Sequence, residues 1–270
     1  MKEYLFIDGI RAESAIPLRS LFYGEGLFET FRYKGRPPVL LEKHFERMER
    51  GASLLKIPFP DREYIIELIH KAISESGISD AYIKICLLSQ GQSSFFEAAD
   101  MSQLLVIVKK YTNPKKSIKL KINSFRRISS SPLAKIKSTN YLENILARRA
   151  ALSSGFDEAL FLNEKGVVTE CGASNIFWFR RGTLFTPSKD CGLLNGTTRA
   201  LVLRFIADYD INLIEGEFLL DDLIGADFVF IANSLIGCAP VYAIEGDSFS
   251  VEHPFFIKIQ NTLFEKLKWV

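Results

Sequence analysis

A chain of 270 residues with 47% hydrophobic content can bury a substantial core. Its 34 Lys+Arg against 32 Asp+Glu leave a net charge of +2, too balanced for a nucleic-acid backbone or an anionic membrane to be the main partner. The segment MKEYLFIDGI has no long apolar core of the signal-peptide kind, and no later apolar run approaches the ~18 residues of a membrane span. Cys86, Cys171, Cys191 and Cys238 form no C-x-x-C pair, which predicts unpaired thiols in the cytoplasm. His44, His70 and His253 offer no metal-ligand spacing, so no metal site is expected, and a Ser-His-Asp triad has few histidines to draw on.

Taken in order, the first 110 residues alternate short strands and helices. Tyr4 to Ile10 reads as a strand turning at Asp8-Gly9, and Leu27 to Tyr33 as one arm of a hairpin with Pro38 to Leu41. Leu41, Phe45, Met48, Ala52 and Leu55 recur at spacings of four and three, predicting a helix that Pro58 and Pro60 end. A second helix from Asp61 to Glu75 follows, with Asp61 as its cap, and strands at Ala81 to Leu88 and Leu104 to Lys110 complete this half. The run YTNPKK at Tyr111 to Lys116 breaks the pattern, so the expected division is a small domain over 1–111, a linker over 112–117 and a larger domain over 118–270.

The second half opens with a strand at Ile118 to Asn123 and then Lys137, placed just before Ser138, Thr139 and Asn140, any of which could cap a helix. Tyr141, Leu142, Ile145, Leu146 and Ala150 carry the helical spacing onward. Two hairpins are predicted, Glu158–Leu162 with Val167–Glu170 and Asn175–Phe179 with Leu184–Thr186, each across a polar turn. A helix from Thr197 to Asp208, strands near 211–214, 228–232 and 240–244, a short helix at 219–224 and a helix from His253 to Leu267 complete an α+β chain in two halves.

Four groups carry candidate chemistry. Lys137, at a strand-to-helix junction, could be bent into a cavity as an amine nucleophile. Glu170 stands at a strand end before Gly172, Ala173 and Ser174, small residues that allow close approach of a ligand whose cationic ring nitrogen a carboxylate would solvate. Gly192 to Arg199 is a turn running into a helix, where N–H groups and the Thr197 and Thr198 hydroxyls could take a phosphate. Arg47 lies about a third of a turn off its apolar stripe, on what periodicity reads as a solvated face, and could hold an anion only if one lay beside it. Neither a Walker loop nor a dinucleotide fingerprint is present.

Five blocks in this order, YGEGLFETFR (23–32), HFERM (44–48), KSTNYLENILARR (137–149), VTECGASNIFW (168–178) and TPSKDCGLLNGTTR (186–199), resemble the class IV, fold type IV, pyridoxal-phosphate enzymes. That resemblance implies a small N-terminal α/β domain and a larger C-terminal mixed-sheet domain with pyridoxal 5'-phosphate between them. By the same resemblance, Lys137 would be in Schiff-base linkage with the cofactor and Glu170 would face its ring nitrogen. Arg47, Thr197 and Thr198 would hold its phosphate, and Leu194 would pack on the ring. Ser174, Tyr141 and Ser234 are further cofactor-binding candidates, and Phe28, Arg32 and Gln90 are candidates for contact with a small amino-acid-like substrate. The family's members are commonly homodimers, so a homodimer is expected here by resemblance.

Within the family, YGEGLFETFR, FRRIS (125–129), TPSKDCGLLNGTTR and the ANSL turn look most like 4-amino-4-deoxychorismate lyases, which release pyruvate to leave p-aminobenzoate. Gln90 stands where D-amino acid aminotransferases resemble one another in having a carboxylate-binding arginine, and an amide cannot replace a guanidinium fork. An amino-acid aminotransferase, branched-chain or D-amino acid type, is the alternative. A fold relic that binds a phosphorylated ligand without catalysis is the alternative from another class.

Overall fold

The computed structural model describes residues 6–7, 10–11, 16–91, 97–209 and 211–269. A short antiparallel pair, β1 (Phe6–Ile7) and β2 (Ile10–Arg11), precedes helix α1 (Leu18–Tyr23). Tyr4, Asp8 and Gly9 of the expected first strand and turn lie outside the described residues. Strand β3 (Gly26–Lys34) leads into α2 (Leu41–Leu55) and α3 (Arg62–Ser76), followed by β4 (Asp80–Gln90) and β5 (Met101–Lys110).

These strands form an antiparallel sheet in the order β3-β4-β5. The expected hairpin of β3 with Pro38 to Leu41 does not form. Pro37 and Pro38 have no N–H to give a ladder, and the chain enters α2 at Leu41 instead. The stripe Phe45, Met48 and Ala52 packs against Leu27, Phe31, Ile83, Ile85 and Leu87 of the sheet. Asp61 caps α3 as its residue type suggests, accepting a hydrogen bond from Glu63 N at 2.7 Å.

Residues 111–117 hold no regular element. After them come β6 (Ile118–Ile122), a 3₁₀ turn (Pro132–Lys135), α4 (Leu142–Ser153), β7 (Glu158–Leu162), β8 (Val168–Cys171), β9 (Asn175–Arg180) and β10 (Thr183–Pro187). Then follow α5 (Thr197–Ile206), β11 (Asn212–Gly216), α6 (Leu220–Leu223), β12 (Phe228–Asn233), β13 (Gly237–Ile244), β14 (Asp247–Ser248) and α7 (Pro254–Lys266). The large sheet runs β11-β10-β9-β12-β13-β6-β7-β8, with β14 on β13; β11/β10, β13/β6 and β6/β7 are parallel and the other pairs antiparallel.

Both faces of this sheet are covered, and the two-residue period of a strand divides its side chains accordingly. Val229 and Ile231 point to one core with Trp178, Leu160 and Val241. Phe228 and Phe230 point to the other with Phe177, Val202, Phe205 and Ile259 from α5 and α7. On α4 the outcome differs from the apolar periodicity: Leu142, Ile145 and Leu146 are exposed, and the small residues Ala147 and Ala151 face the sheet. Among the described residues no helix is long and apolar enough to cross a membrane.

The two sheets are bonded to each other at several points. Phe28 N donates to Lys137 O and Thr139 N to Gly26 O, both at 2.9 Å, so the Lys137 segment runs alongside β3. Ser234 Oγ donates to Thr30 O at 2.5 Å and Tyr111 OH to Leu235 O at 2.6 Å. Thr139 Oγ1 and Asn140 Nδ2, expected as helix caps, both donate to Gly24 O at 2.8 Å. Residue Tyr141 occupies the cap position of α4 and makes no side-chain capping bond.

Trp178 is 1% exposed between Phe185, stacked at 5.8 Å, and Phe218, edge-on at 5.0 Å. Trp178→Ala is expected to lower the free energy of unfolding by about 3–5 kcal/mol, read from denaturant titration, and an unchanged midpoint would contradict this packing.

Candidate active site

Strand alternation in β3 sends Leu27, Glu29 and Phe31 beneath α2 and leaves Phe28 and Thr30 on the opposite face. That second face, the Lys137 segment, the β8–β9 connection, the start of α5 and the turn after β12 enclose a cavity of about 310 Å³. This volume is within the range of small-molecule sites. Of the residues singled out from sequence, the cavity wall includes Phe28, Arg47, Lys137, Tyr141, Glu170, Ser174, Leu194, Thr197, Thr198 and Ser234. Arg32 and Gln90 are not in it. Arg32 instead forks onto Asp80, at 2.8 and 2.6 Å, and lies over the Tyr111 ring.

Lys137 Nζ has no hydrogen-bond partner among the described residues and stands 4.5 Å from the centre of the Phe28 ring and 5.7 Å from that of Tyr141. Burial pushes its pKa down to about 8, and the Arg47 cation pushes the same way. Glu29 and Glu170 act against that shift without cancelling it. Phe28 and Tyr141 meet edge to face at 5.1 Å, and Tyr141 OH donates to Gly172 O at 2.7 Å. Burial, then the charges of Glu170 and Glu158, raise the Tyr141 phenol, so it remains a neutral donor.

Two buried carboxylates, Glu170 in the cavity wall and Glu29 behind it, act on the amine's charge, and each is paired with an arginine. Glu170 Oε1 accepts from Arg127 Nη1, and its Oε2 accepts from Asn175 Nδ2 and Leu194 N, both at 3.2 Å. Burial raises the Glu170 pKa, with Arg127, the Leu194 N–H and Lys137 opposing. Gly196 makes room for Asn175, whose Oδ1 would lie 2.1 Å from a Cβ at that position.

Glu29 is held at a pKa of about 2. Its burial favours the neutral form, and the Arg47 charge together with the hydrogen bonds from Arg47 and His44 outweighs that. Arg47 is therefore buried and ion-paired, contrary to the solvated face that its periodicity suggests. It gives Nε and Nη2 to Glu29 at 2.7 and 2.5 Å and Nη1 to Asn195 O at 3.3 Å.

The start of α5 faces the same cavity with Gly196, Thr197 and Thr198. Thr198 Oγ1 is buried with no partner among the described residues, beside a helix N-terminus that favours anions. Ser234, by contrast, spends its hydroxyl on Thr30 O, and Ser174 Oγ accepts from Asn233 Nδ2 at 2.9 Å. Sequence reasoning did not single out Glu29, Arg127 or Asn175. Their signal is a pairing across the fold, which has no fixed spacing along the chain.

An isolated amine near arginine-paired carboxylates, at the N-terminus of a helix, is an arrangement for covalent chemistry on a small anionic ligand. The family model for amino-transferase class IV matches residues 26–244, and the chain belongs to that family. It is thus a class IV enzyme, a lyase or an aminotransferase, with the fold of the type IV aminotransferases.

Among its relatives, the aminodeoxychorismate lyase of Bacillus subtilis (strain 168) is 32% identical over 260 residues, covering 90% of this chain and 89% of that protein. The crystal structure of a protein provisionally assigned as a 4-amino-4-deoxychorismate lyase, from Legionella pneumophila, superposes with a TM-score of 0.89 at 31% identity, covering 94% of this chain and 96% of the other. The branched-chain aminotransferase of Thermoproteus uzoniensis, solved with norvaline, gives 0.86 at 27% identity over 98% of this chain and 95% of its own.

The Lys137 amine is reactive only when neutral, and at pH 8 about half of it is. A surface lysine with a pKa near 10.4 is then only about 1 part in 250 neutral. Labelling of the cofactor-free protein with a small amine-directed reagent is expected to modify Lys137 first, at a rate that climbs tenfold per pH unit below about 8 and levels above it. A rate still climbing at pH 10 would refute the lowered pKa.

Proposed function

We propose that the chain is a pyridoxal 5'-phosphate-dependent lyase that eliminates pyruvate from 4-amino-4-deoxychorismate to give p-aminobenzoate. The observation that carries this choice is the likeness to the Bacillus subtilis lyase over nine-tenths of the chain, at 32% identity. The cavity residues fit the cofactor: an unpaired amine at Lys137, an unpartnered buried hydroxyl at Thr198 and a carboxylate at Glu170 all face one space.

Pyridoxal phosphate, when bound, supplies an aldehyde for amines and a ring that withdraws electrons from the carbon next to the captured nitrogen. In this reading Arg47 and the start of α5 bind the phosphate, and Leu194 packs on the ring. Glu170, fixed by Arg127 and Asn175, keeps a proton on the ring nitrogen. Lys137 Nζ anchors the aldehyde. When free, its amine would be a base placed in the same cavity to take the proton from the carbon that bears the substrate nitrogen. Phe28 and Tyr141 wall Lys137 from solvent on one side.

A second reading, an amino-acid aminotransferase, is favoured by the 0.86 TM-score to the Thermoproteus uzoniensis enzyme. Purified enzyme given 4-amino-4-deoxychorismate without a keto acid should form p-aminobenzoate and pyruvate. Amino transfer that requires 2-oxoglutarate, with no p-aminobenzoate, would replace the lyase by the aminotransferase. Lys137→Ala should reduce turnover by about a thousandfold or more while pyridoxal phosphate still binds through its phosphate. Near-normal turnover in that variant would remove Lys137 from the chemistry.

The reading places the enzyme in the cytoplasm, in keeping with its four free buried cysteines. It also includes a homodimer, supported by the exposed Leu133 of the cavity wall and the exposed Leu142, Ile145 and Leu146 of α4. Light scattering should then report about twice the 30.6 kDa chain mass, and a monomer at micromolar concentration would argue against it.

A further inference from the structure

Glu29 does not line the cavity, yet both its oxygens are engaged: Arg47 Nε on Oε1, and Arg47 Nη2 and His44 Nδ1 on Oε2, the last at 2.6 Å. A carboxylate forked by a guanidinium is ionised and can only accept, so the imidazole proton is on Nδ1. His44 is 1% exposed, and burial, with the Arg47 and Lys137 cations, outweighs the opposing pull of the Glu29 carboxylate, so the neutral imidazole is the favoured form and Nε2 is left as an acceptor. That nitrogen faces Thr197 Oγ1 at 3.4 Å, a long contact in which the threonine is the donor. Thr198 Oγ1, one residue on, is 1% exposed, has no partner and lines the cavity.

We propose that Glu29 is a positioning residue for the anion cradle: it fixes the Arg47 guanidinium and, through His44, takes up the hydroxyl proton of Thr197, so that of the two threonines only Thr198 presents a free hydroxyl donor to a phosphate. The proposal rests on the cofactor reading above and deepens it. The cradle has one half on α2 of the small sheet and the other on α5 of the large one, and Glu29 connects the two. Arg47 reaches the α5 side through Asn195 O, and His44 reaches it through Thr197. A guanidinium that already spends Nε and Nη2 on a carboxylate keeps one orientation, and pre-orientation is what a fork needs to discriminate a phosphate from other anions.

The test is calorimetric titration of apoprotein with pyridoxal 5'-phosphate, with pyridoxal, and with inorganic phosphate. Thr198→Val should weaken both phosphate-bearing ligands about tenfold or more, the effect of losing a donor to a charged group, and leave pyridoxal unchanged. Thr197→Val should change them by less than about threefold. Where valine lowers the melting temperature, Thr197→Ala and Thr198→Ala are compared instead. His44→Asn keeps a donor toward Glu29 and removes the acceptor facing Thr197, so adding it to Thr198→Val should restore several-fold of the lost phosphate affinity. Equal losses at the two threonines, or no restoration, would overturn the relay while leaving the cofactor reading intact. Wild-type apoprotein that binds pyridoxal phosphate no more tightly than pyridoxal would overturn the cradle and the cofactor reading together.

Discussion

Lys137 reaches the cavity because its backbone is fastened to β3. The bonds from Phe28 N to Lys137 O and from Thr139 N to Gly26 O make the segment behave locally as an added strand of the small sheet. Side chains on such a segment alternate in direction, so Ile136 is buried in the small-sheet core with Leu27 while Lys137 faces the opposite way, toward Phe28 and Tyr141. The same bonds hold the Lys137 segment against β3, and Lys137 shares the cavity wall with Glu170 at the end of β8. A lysine on a mobile loop would find water or a carboxylate. This one has no carboxylate partner among the described residues and faces the cavity.

The charge arrangement follows from that placement. A buried amine would ordinarily be paired or lose its proton. Here the neighbouring carboxylates are already matched, Glu29 by Arg47 and Glu170 by Arg127, so neither is a hydrogen-bond partner of Lys137, and their pull on its charge is smaller than the cost of burial. Desolvation then dominates, and the amine settles near pH 8. Breaking either pair would leave an uncompensated buried charge, a costly change in any fold. The pairs therefore serve packing and chemistry at once.

Much of this was legible in the sequence where signals are local. The α2 stripe, the Asp61 cap and the two hairpins of the large sheet follow from spacing and turn residues that lie next to one another. The β3–β4 pairing was not, because two helices intervene and only the prolines at 37 and 38 warn against the nearer partner. Arg47 was misjudged by periodicity, since its burial depends on a carboxylate supplied by another element. The α4 spacing marks a helix but not its buried face, since Ala147 and Ala151 pack with Ala159 and Phe161 while Leu142, Ile145 and Leu146 are exposed. Of the cavity wall, Lys137, Glu170 and the threonines stood out through motif blocks, whereas Glu29, Arg127 and Asn175 become visible only once their partners are in place.

The bonds that join the two sheets also bear on how a molecule enters. Swinging the small sheet away as a rigid body would break Phe28–Lys137, Thr139–Gly26, Ser234–Thr30, Tyr111–Leu235 and Arg47–Asn195 together. At about 1 kcal/mol each, that motion would cost several kcal/mol before any core contact was lost. Rotation of the exposed Leu133 and Arg148 side chains of the cavity wall breaks none of these bonds. Traffic through such a chamber is governed by its doorway, and the walls stay still while the occupant changes.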